Sequence, residues 1–281
     1  MLKVAITGST GLIGSRIIEL LKDKFLFTPF LHSEIDICDN QQTIKAIQQM
    51  DFDIFLHLAG YTHVDRAEIE KDKAKSINVT GTENLFNAVF NKNKKFIYFS
   101  TDFVFDGKNP PYYEDSQPSP ISYYGQTKYE GEKIVKDQAM IIRLSYPYRA
   151  LFDKKLDFVR SIVNNLVQKK LLFMVTDSVF TPTFIDDIAY SVEHLMFNFT
   201  HEVFHITGAD SMSPFEAGRI IANSFNLDKE LVQPTKYNEY FKNKAKRPQY
   251  SDMKSEKNIF YPMKTFKESL SIMKSQIPNY K

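Results

Sequence analysis

Along the first half of the chain, short apolar runs rich in β-branched and aromatic residues alternate with segments whose apolar positions recur at helical spacing. The runs at 4–7, 25–31, 51–60, 96–99 and 140–144 predict strands, and the segments at 15–22, 40–50 and 125–137 predict helices, with a further helix around Asn78. Asp39 or Asn40 stands where a cap of the 40–50 helix belongs. Strand-helix alternation of this kind predicts an α/β fold, a doubly wound parallel sheet with right-handed crossovers. Beyond residue 148 the pattern loosens. Helices are predicted over 158–169, after the run Thr181 to Ala189, and over 213–225 with Ser213 as cap, and strands over 171–175 and 203–208. The expected organisation is a Rossmann-like dinucleotide-binding domain over 1–148 and a smaller α/β substrate-binding portion over 149–281, interleaved with the first rather than independent of it.

Composition narrows the possibilities. The chain has 281 residues, 43% of them hydrophobic and 25% charged, enough to bury a sizeable core. Its formal net charge of +2 is spread along the sequence, without a basic arm or an RNA-binding signature, so no nucleic acid partner is expected. There is no apolar run of membrane-spanning length and no signal-peptide pattern after Met1, so no membrane partner is expected either. A single cysteine, Cys38, fits a reducing cytoplasm and removes thiolate metal clusters. His57 and His63 lack metal-ligand company and read as structural histidines, so no metal site is expected.

The strand at 4–7 runs into Gly8, Gly11 and Gly14 and then into a helix. Such a turn lets a pyrophosphate approach the backbone, and the helix N-terminus supplies amide donors and a favourable dipole. At the end of the second strand an NAD-selective site places an acid against the ribose 2′-hydroxyl. Here the residues are Leu31, His32 and Ser33, with no acid before Glu34, and Arg16, His32 or Ser33 could face a 2′-phosphate. NADP(H) is therefore preferred, with NAD(H) as the alternative. The strand at 51–60 ends in the small residues Ala59 and Gly60, which would admit a flat ring or a phosphate, and the residues from Tyr61 to Glu68 are expected as a loop. A mid-helix Asn78 is disfavoured by propensity and marks either a polar task or simple exposure.

Ser100 and Thr101 end the strand that begins at Phe96, where open α/β sheets place ligands. Downstream, Tyr124 and Lys128 are one helical turn apart on one face. A free phenol titrates near about 10, and a neighbouring ammonium is expected to lower that value. Tyr124 and Thr101 could then stabilise a substrate oxygen on which negative charge develops. A solvated helix face is the plain alternative.

These residues, with Ile35-Asp36-Ile37, the Ala59 to Glu68 stretch, Asn78, Ser100 to Gly107, Arg143 to Tyr146, Pro182-Thr183 and Arg247-Pro248, resemble the extended short-chain dehydrogenase/reductase superfamily and, within it, the dTDP-4-dehydrorhamnose reductase family. The resemblance implies catalytic roles for Thr101, Tyr124 and Lys128, with Tyr124 as proton donor. It implies cofactor contacts from Gly8, Thr10, Gly11, Leu12, Ile13, Gly14, His32, Asp36, Ile37, Ala59, Gly60, Tyr61, Asn78, Ser100, Tyr124 and Lys128. Val64, Thr101, Asp102, Phe103, Tyr146 and Arg247 would face a nucleotide-sugar substrate. The implied reaction delivers hydride from NADPH to the C4 ketone of a dTDP-4-keto-6-deoxyhexose, in a cytoplasmic enzyme that could form a homodimer. The chain departs from the family pattern at Tyr146, where Trp is usual, at Tyr148-Arg149-Ala150, where a glycine turn is usual, and at Asp177 to Phe180. Two other readings share the superfamily: a nucleotide-sugar epimerase or dehydratase, and a regulatory NADP-binding subunit similar to the β subunit of methionine adenosyltransferase.

Overall fold

A computed structural model describes residues 1–277, and residues 278–281 lie outside the described residues. β1 (Leu2–Thr7), α1 (Gly14–Leu21), β2 (Phe25–Phe30), α2 (Asn40–Gln49) and β3 (Ile54–His57) open the chain. α3 (Val64–Ala67), α4 (Lys71–Lys75), a π-helical turn (Ser76–Thr80) and α5 (Gly81–Asn91) then lead to β4 (Lys95–Thr101), followed by α6 (Tyr123–Val135), β5 (Met140–Leu144) and β6 (Pro147–Tyr148). The remainder runs α7 (Phe158–Val167), β7 (Leu172–Val175), β8 (Val179–Phe180), β9 (Thr183–Phe184), α8 (Ile185–Phe197) and β10 (Val203–Ile206). It ends with α9 (Pro214–Ser224), β11 (Val232–Thr235), α10 (Tyr237–Tyr240), β12 (Tyr250–Ser251) and α11 (Phe266–Gln276).

The main sheet has the order β10-β5-β4-β3-β1-β2, and all its pairs are parallel. Alternate strand residues feed the two faces. Val4, Ile6, Leu56, Ile97 and Ile142 pack toward α1 and α8, whereas Ala5, Phe55, Phe96, Tyr98 and Ile141 pack toward α2 and α5. Strand order reverses at β1, so the carboxyl ends of β1, β3 and β4 open on the crevice where such sheets bind ligands. The later half contributes to this sheet directly: β10 pairs with β5, and α8 covers the face that α1 covers. A third core, built on Tyr148, Phe180, Phe184, Ile221 and Leu270, holds α7, α9 and α11 together.

Three expectations change. The third strand stops at His57 rather than Gly60, because the Thr7 hydroxyl accepts from the amides of Leu58 (3.1 Å) and Ala59 (3.2 Å) and draws the chain away from the ladder. The stretch 61–68, expected as a loop, contains α3. The helix around Asn78 is interrupted by the π-helical turn, a feature frequent at functional sites.

Candidate active site

Gly8 has φ of +68°, and a Cβ there would lie 2.9 Å from the carbonyl carbon of Leu58. At Gly14 a Cβ would lie 2.4 Å from the Gly8 carbonyl oxygen. The turn is tight because the first strand, the third strand and the start of α1 meet there. Gly11 donates its amide to Gly8 (2.9 Å) and accepts from the Ser15 hydroxyl (2.7 Å). No side chain caps α1 and its first turn carries no acid, which leaves its dipole to an anion, although the Ser15 and Arg16 amides are taken by the Gly11 (3.1 Å) and Ile13 (3.0 Å) carbonyls. Thr10 is exposed at the tip of the turn, and Leu12 and Ile13 are half-buried against the sheet.

At the end of β2, His32 and Ser33 lie toward the surface. The Asp36 carboxylate accepts from the Cys38 amide (2.9 Å). Ile37 is buried against Gly81, and its carbonyl accepts from Asn84 (2.9 Å). Arg16 is corrected as a candidate for a 2′-phosphate: its Nε and Nη2 both donate to Asp186 at 2.7 Å, and Nη1 meets Glu19 at 2.6 Å. That bidentate pair ties α1 to α8 instead.

Tyr61, at the end of the Ala59-Gly60 stretch, is held by Asn78, which is 1% exposed rather than a solvated helix residue. Its Oδ1 accepts from the Tyr61 amide (2.7 Å), and its Nδ2 donates to the Tyr61 carbonyl (3.1 Å) and to the Thr127 hydroxyl (2.9 Å). One side chain thus binds the β3 loop to α6. Asn78→Ala orphans the buried Tyr61 amide and should lower stability by about 1–3 kcal/mol; a denaturant midpoint equal to the parent's would refute this role. His57 is a structural histidine, bonded to Thr7 (2.8 Å) and Thr82 (3.0 Å) and pushed down to about 3 by burial, so it stays neutral.

β4 delivers Ser100 and Thr101 to the crevice, and α6, capped by the Ser122 hydroxyl on the Gly125 amide, brings up Tyr124 and Lys128. All four are buried. Burial pushes the Tyr124 phenol up to about 12; hydrogen bonding with Thr101 opposes this and the Asp102 charge adds to it. The expectation of an ammonium-lowered phenol is therefore corrected. Lys128 lies over the Tyr98 ring, 4.1 Å from its centroid, and is itself pushed down to about 7 by burial. Thr101 donates to Asp102 (3.0 Å) and accepts from the Phe103 amide (3.3 Å). Asp102 also accepts from Ser145 (3.1 Å), and burial pushes its carboxyl up to about 6.

Val64 and Phe103 pack with Tyr61 and Tyr124, the Phe103 and Tyr124 rings meeting edge-on at 5.5 Å. Tyr146 has a left-handed backbone (φ 41°) and sets its ring 4.5 Å from that of Phe180. Arg247 reaches the same region from the far end of the chain and pairs with Asp65. Thr127, Ser145 and Asp65 were not singled out from the sequence, although each adjoins a residue that was.

The site fits a dinucleotide. The buried Ser100 hydroxyl has no partner among the described residues, and the turn through Gly8 and Gly14 is too tight for side chains. Among the described residues no group of His, Cys, Asp and Glu could hold a metal ion, and no helix is long and apolar enough to cross a membrane.

Comparison with known proteins agrees with this geometry. Residues 2–277 match the RmlD substrate binding domain family. A solved structure of dTDP-4-dehydrorhamnose reductase from Bacillus anthracis str. Ames, in complex with NADP, superposes with a TM-score of 0.91 at 30% identity, covering 98% of this chain and 99% of that one. The probable low-salt glycan biosynthesis reductase Agl14 of Haloferax volcanii is 28% identical over 245 residues, covering 81% of this chain and 82% of the relative. The β subunit of methionine adenosyltransferase 2 from Rattus norvegicus is 27% identical over 250 residues, covering 83% of this chain and 75% of the relative.

Proposed function

The chain belongs to the RmlD substrate binding domain family, and from that premise we propose that it is an NADPH-dependent reductase of a nucleotide-linked 4-keto-6-deoxysugar, converting dTDP-4-dehydrorhamnose to dTDP-rhamnose. The observation that carries the reading is the Tyr124 phenol, buried in the crevice with Phe103 edge-on at 5.5 Å and with Lys128, Thr101 and Asp102 buried at the same site. NADPH, when bound, supplies the hydride. The turn through Gly8, Gly11 and Gly14 seats its pyrophosphate, with Thr10, Leu12 and Ile13 completing the turn. His32, Asp36 and Ile37 border the adenosine end, and Ala59, Gly60, Tyr61 and Ser100 line the path to the nicotinamide.

A phenol at about 12 stays protonated at neutral pH. It therefore keeps its proton until an oxygen as basic as an alkoxide forms beside it, which is what a terminal proton donor needs. Turning the Thr101 hydroxyl from Asp102 to a substrate carbonyl adds a second donor to the same oxygen. Lys128, near neutrality in its pocket, gains its charge readily when a ribose hydroxyl or phosphate comes close. Val64, Asp102, Phe103, Tyr146 and Arg247 form the sugar-nucleotide side.

The reading places the chain in the cytoplasm, in keeping with its one unpaired cysteine, and does not depend on a homodimer. Its test is NADPH oxidation followed at 340 nm with dTDP-4-dehydrorhamnose and other 4-keto nucleotide sugars. Consumption with the rhamnose precursor is expected. Tight NADPH binding without consumption of any of them would favour a regulatory subunit of the methionine adenosyltransferase kind instead.

A further inference from the structure

The geometry points to Asp65 as a positioning residue that holds Arg247 so that one two-donor edge of its guanidinium is kept for the diphosphate of the nucleotide sugar. This rests on the reductase reading above and adds a residue to it. Arg247 has five N–H donors. Nη1 and Nη2 meet the two Asp65 oxygens end-on at 2.9 and 2.8 Å, and Nη1 also donates to the Ala245 carbonyl at 2.8 Å. Three donors are thereby spent. The two left, on Nε and the outer side of Nη2, lie parallel along one edge, and no acceptor among the described residues meets them. A parallel pair of N–H groups is the fork that matches two oxygens of a phosphate.

The surroundings hold Arg247 in place. Asp65 follows Val64, which packs in the Tyr61 and Tyr124 cluster. Asp65 also accepts from the Ala245 amide (2.9 Å), so a single carboxylate pins both the guanidinium and the backbone leading to it. The Arg247 Cζ lies 5.0 Å from the Phe241 ring centroid, and the Arg247 carbonyl accepts from the Tyr237 hydroxyl (2.5 Å). The next residues are locked against Gly107, where a Cβ would lie 2.6 Å from the Gln249 amide nitrogen and 2.7 Å from the Pro248 Cα. Arg247 acts electrostatically on Tyr146, as Asp102 does with opposite sign, which sets it on the sugar-nucleotide side of the crevice. The Asp65 side chain is 52% exposed against 14% for Arg247, so its replacement removes the pin without opening a core.

The experiment titrates dTDP into the NADPH-loaded protein by calorimetry and measures steady-state kinetics with dTDP-4-dehydrorhamnose. Asp65→Asn should weaken dTDP binding and raise KM for the nucleotide sugar by about tenfold, the scale of a lost charge-assisted hydrogen bond, with kcat and NADPH affinity close to the parent's. In an Arg247→Met background Asp65→Asn should add nothing further, because Asp65 acts through Arg247. Parent-like dTDP binding by Asp65→Asn, or an additional tenfold loss in the double variant, would overturn the assignment. Failure of the parent itself to bind dTDP would instead overturn the reductase reading, and the inference with it.

Discussion

Tyr124→Phe should lower turnover by roughly 100-fold or more, the scale of a lost general acid, and leave NADPH affinity nearly unchanged. The substitution removes one hydroxyl and keeps the ring, so the edge-on contact with Phe103 at 5.5 Å and the packing with Tyr61 and Val64 persist. What disappears is the proton held by a phenol at about 12. Thr101 remains and can still donate a hydrogen bond to the substrate oxygen, but an aliphatic hydroxyl does not surrender its proton to an alkoxide as a phenol does. Single-turnover NADPH oxidation separates the chemical step from binding, and full activity in this variant would remove Tyr124 from the proton-donor role.

Gly14→Val should lower NADPH affinity by about ten- to a hundredfold, as backbone overpacking of roughly 1–3 kcal/mol is transmitted to the turn. Its Cβ would stand 2.4 Å from the Gly8 oxygen and 3.0 Å from the Gly8 carbonyl carbon, and neither is a flexible side chain that could yield. Gly11→Val is the companion variant. A Cβ at Gly11 meets only the Gly8 carbonyl, at 3.1 Å, so the fold is disturbed less while the space above the turn is filled. Fluorescence titration with NADPH and a melting curve distinguish the two effects. Parent-like affinity in both variants would show that the pyrophosphate is seated elsewhere.

Local chemistry was legible in the residues. The glycine turn, the placement of Ser100 and Thr101 at a strand end, the bounds of β5 and the Ser213 cap, completed by Glu216, all follow from short-range rules. Effects of burial were not legible. The helical spacing of Tyr124 and Lys128 suggested an ammonium acting on a phenol, but the spacing alone says nothing of the dry pocket that raises one group and lowers the other. Asn78 looked anomalous by propensity, yet only the fold reveals that it is consumed by the Tyr61 backbone. Long-range pairs were also beyond reach. Asp65 and Arg247 are 182 positions apart, and Arg16 and Asp186 are 170 apart, so the sequence offers Arg247 without its partner and Arg16 only as one of three groups that could face a 2′-phosphate.

β10 is drawn from the later half of the chain and hydrogen-bonded along β5, with α8 lying on α1. β10 and α8 therefore stay with the first half in any movement that leaves the sheet intact. A movement that opens the crevice and keeps the sheet whole shifts the third core and the surface stretches against that frame. During synthesis, too, the ribosome must pass Ile206 before the last strand of that frame exists.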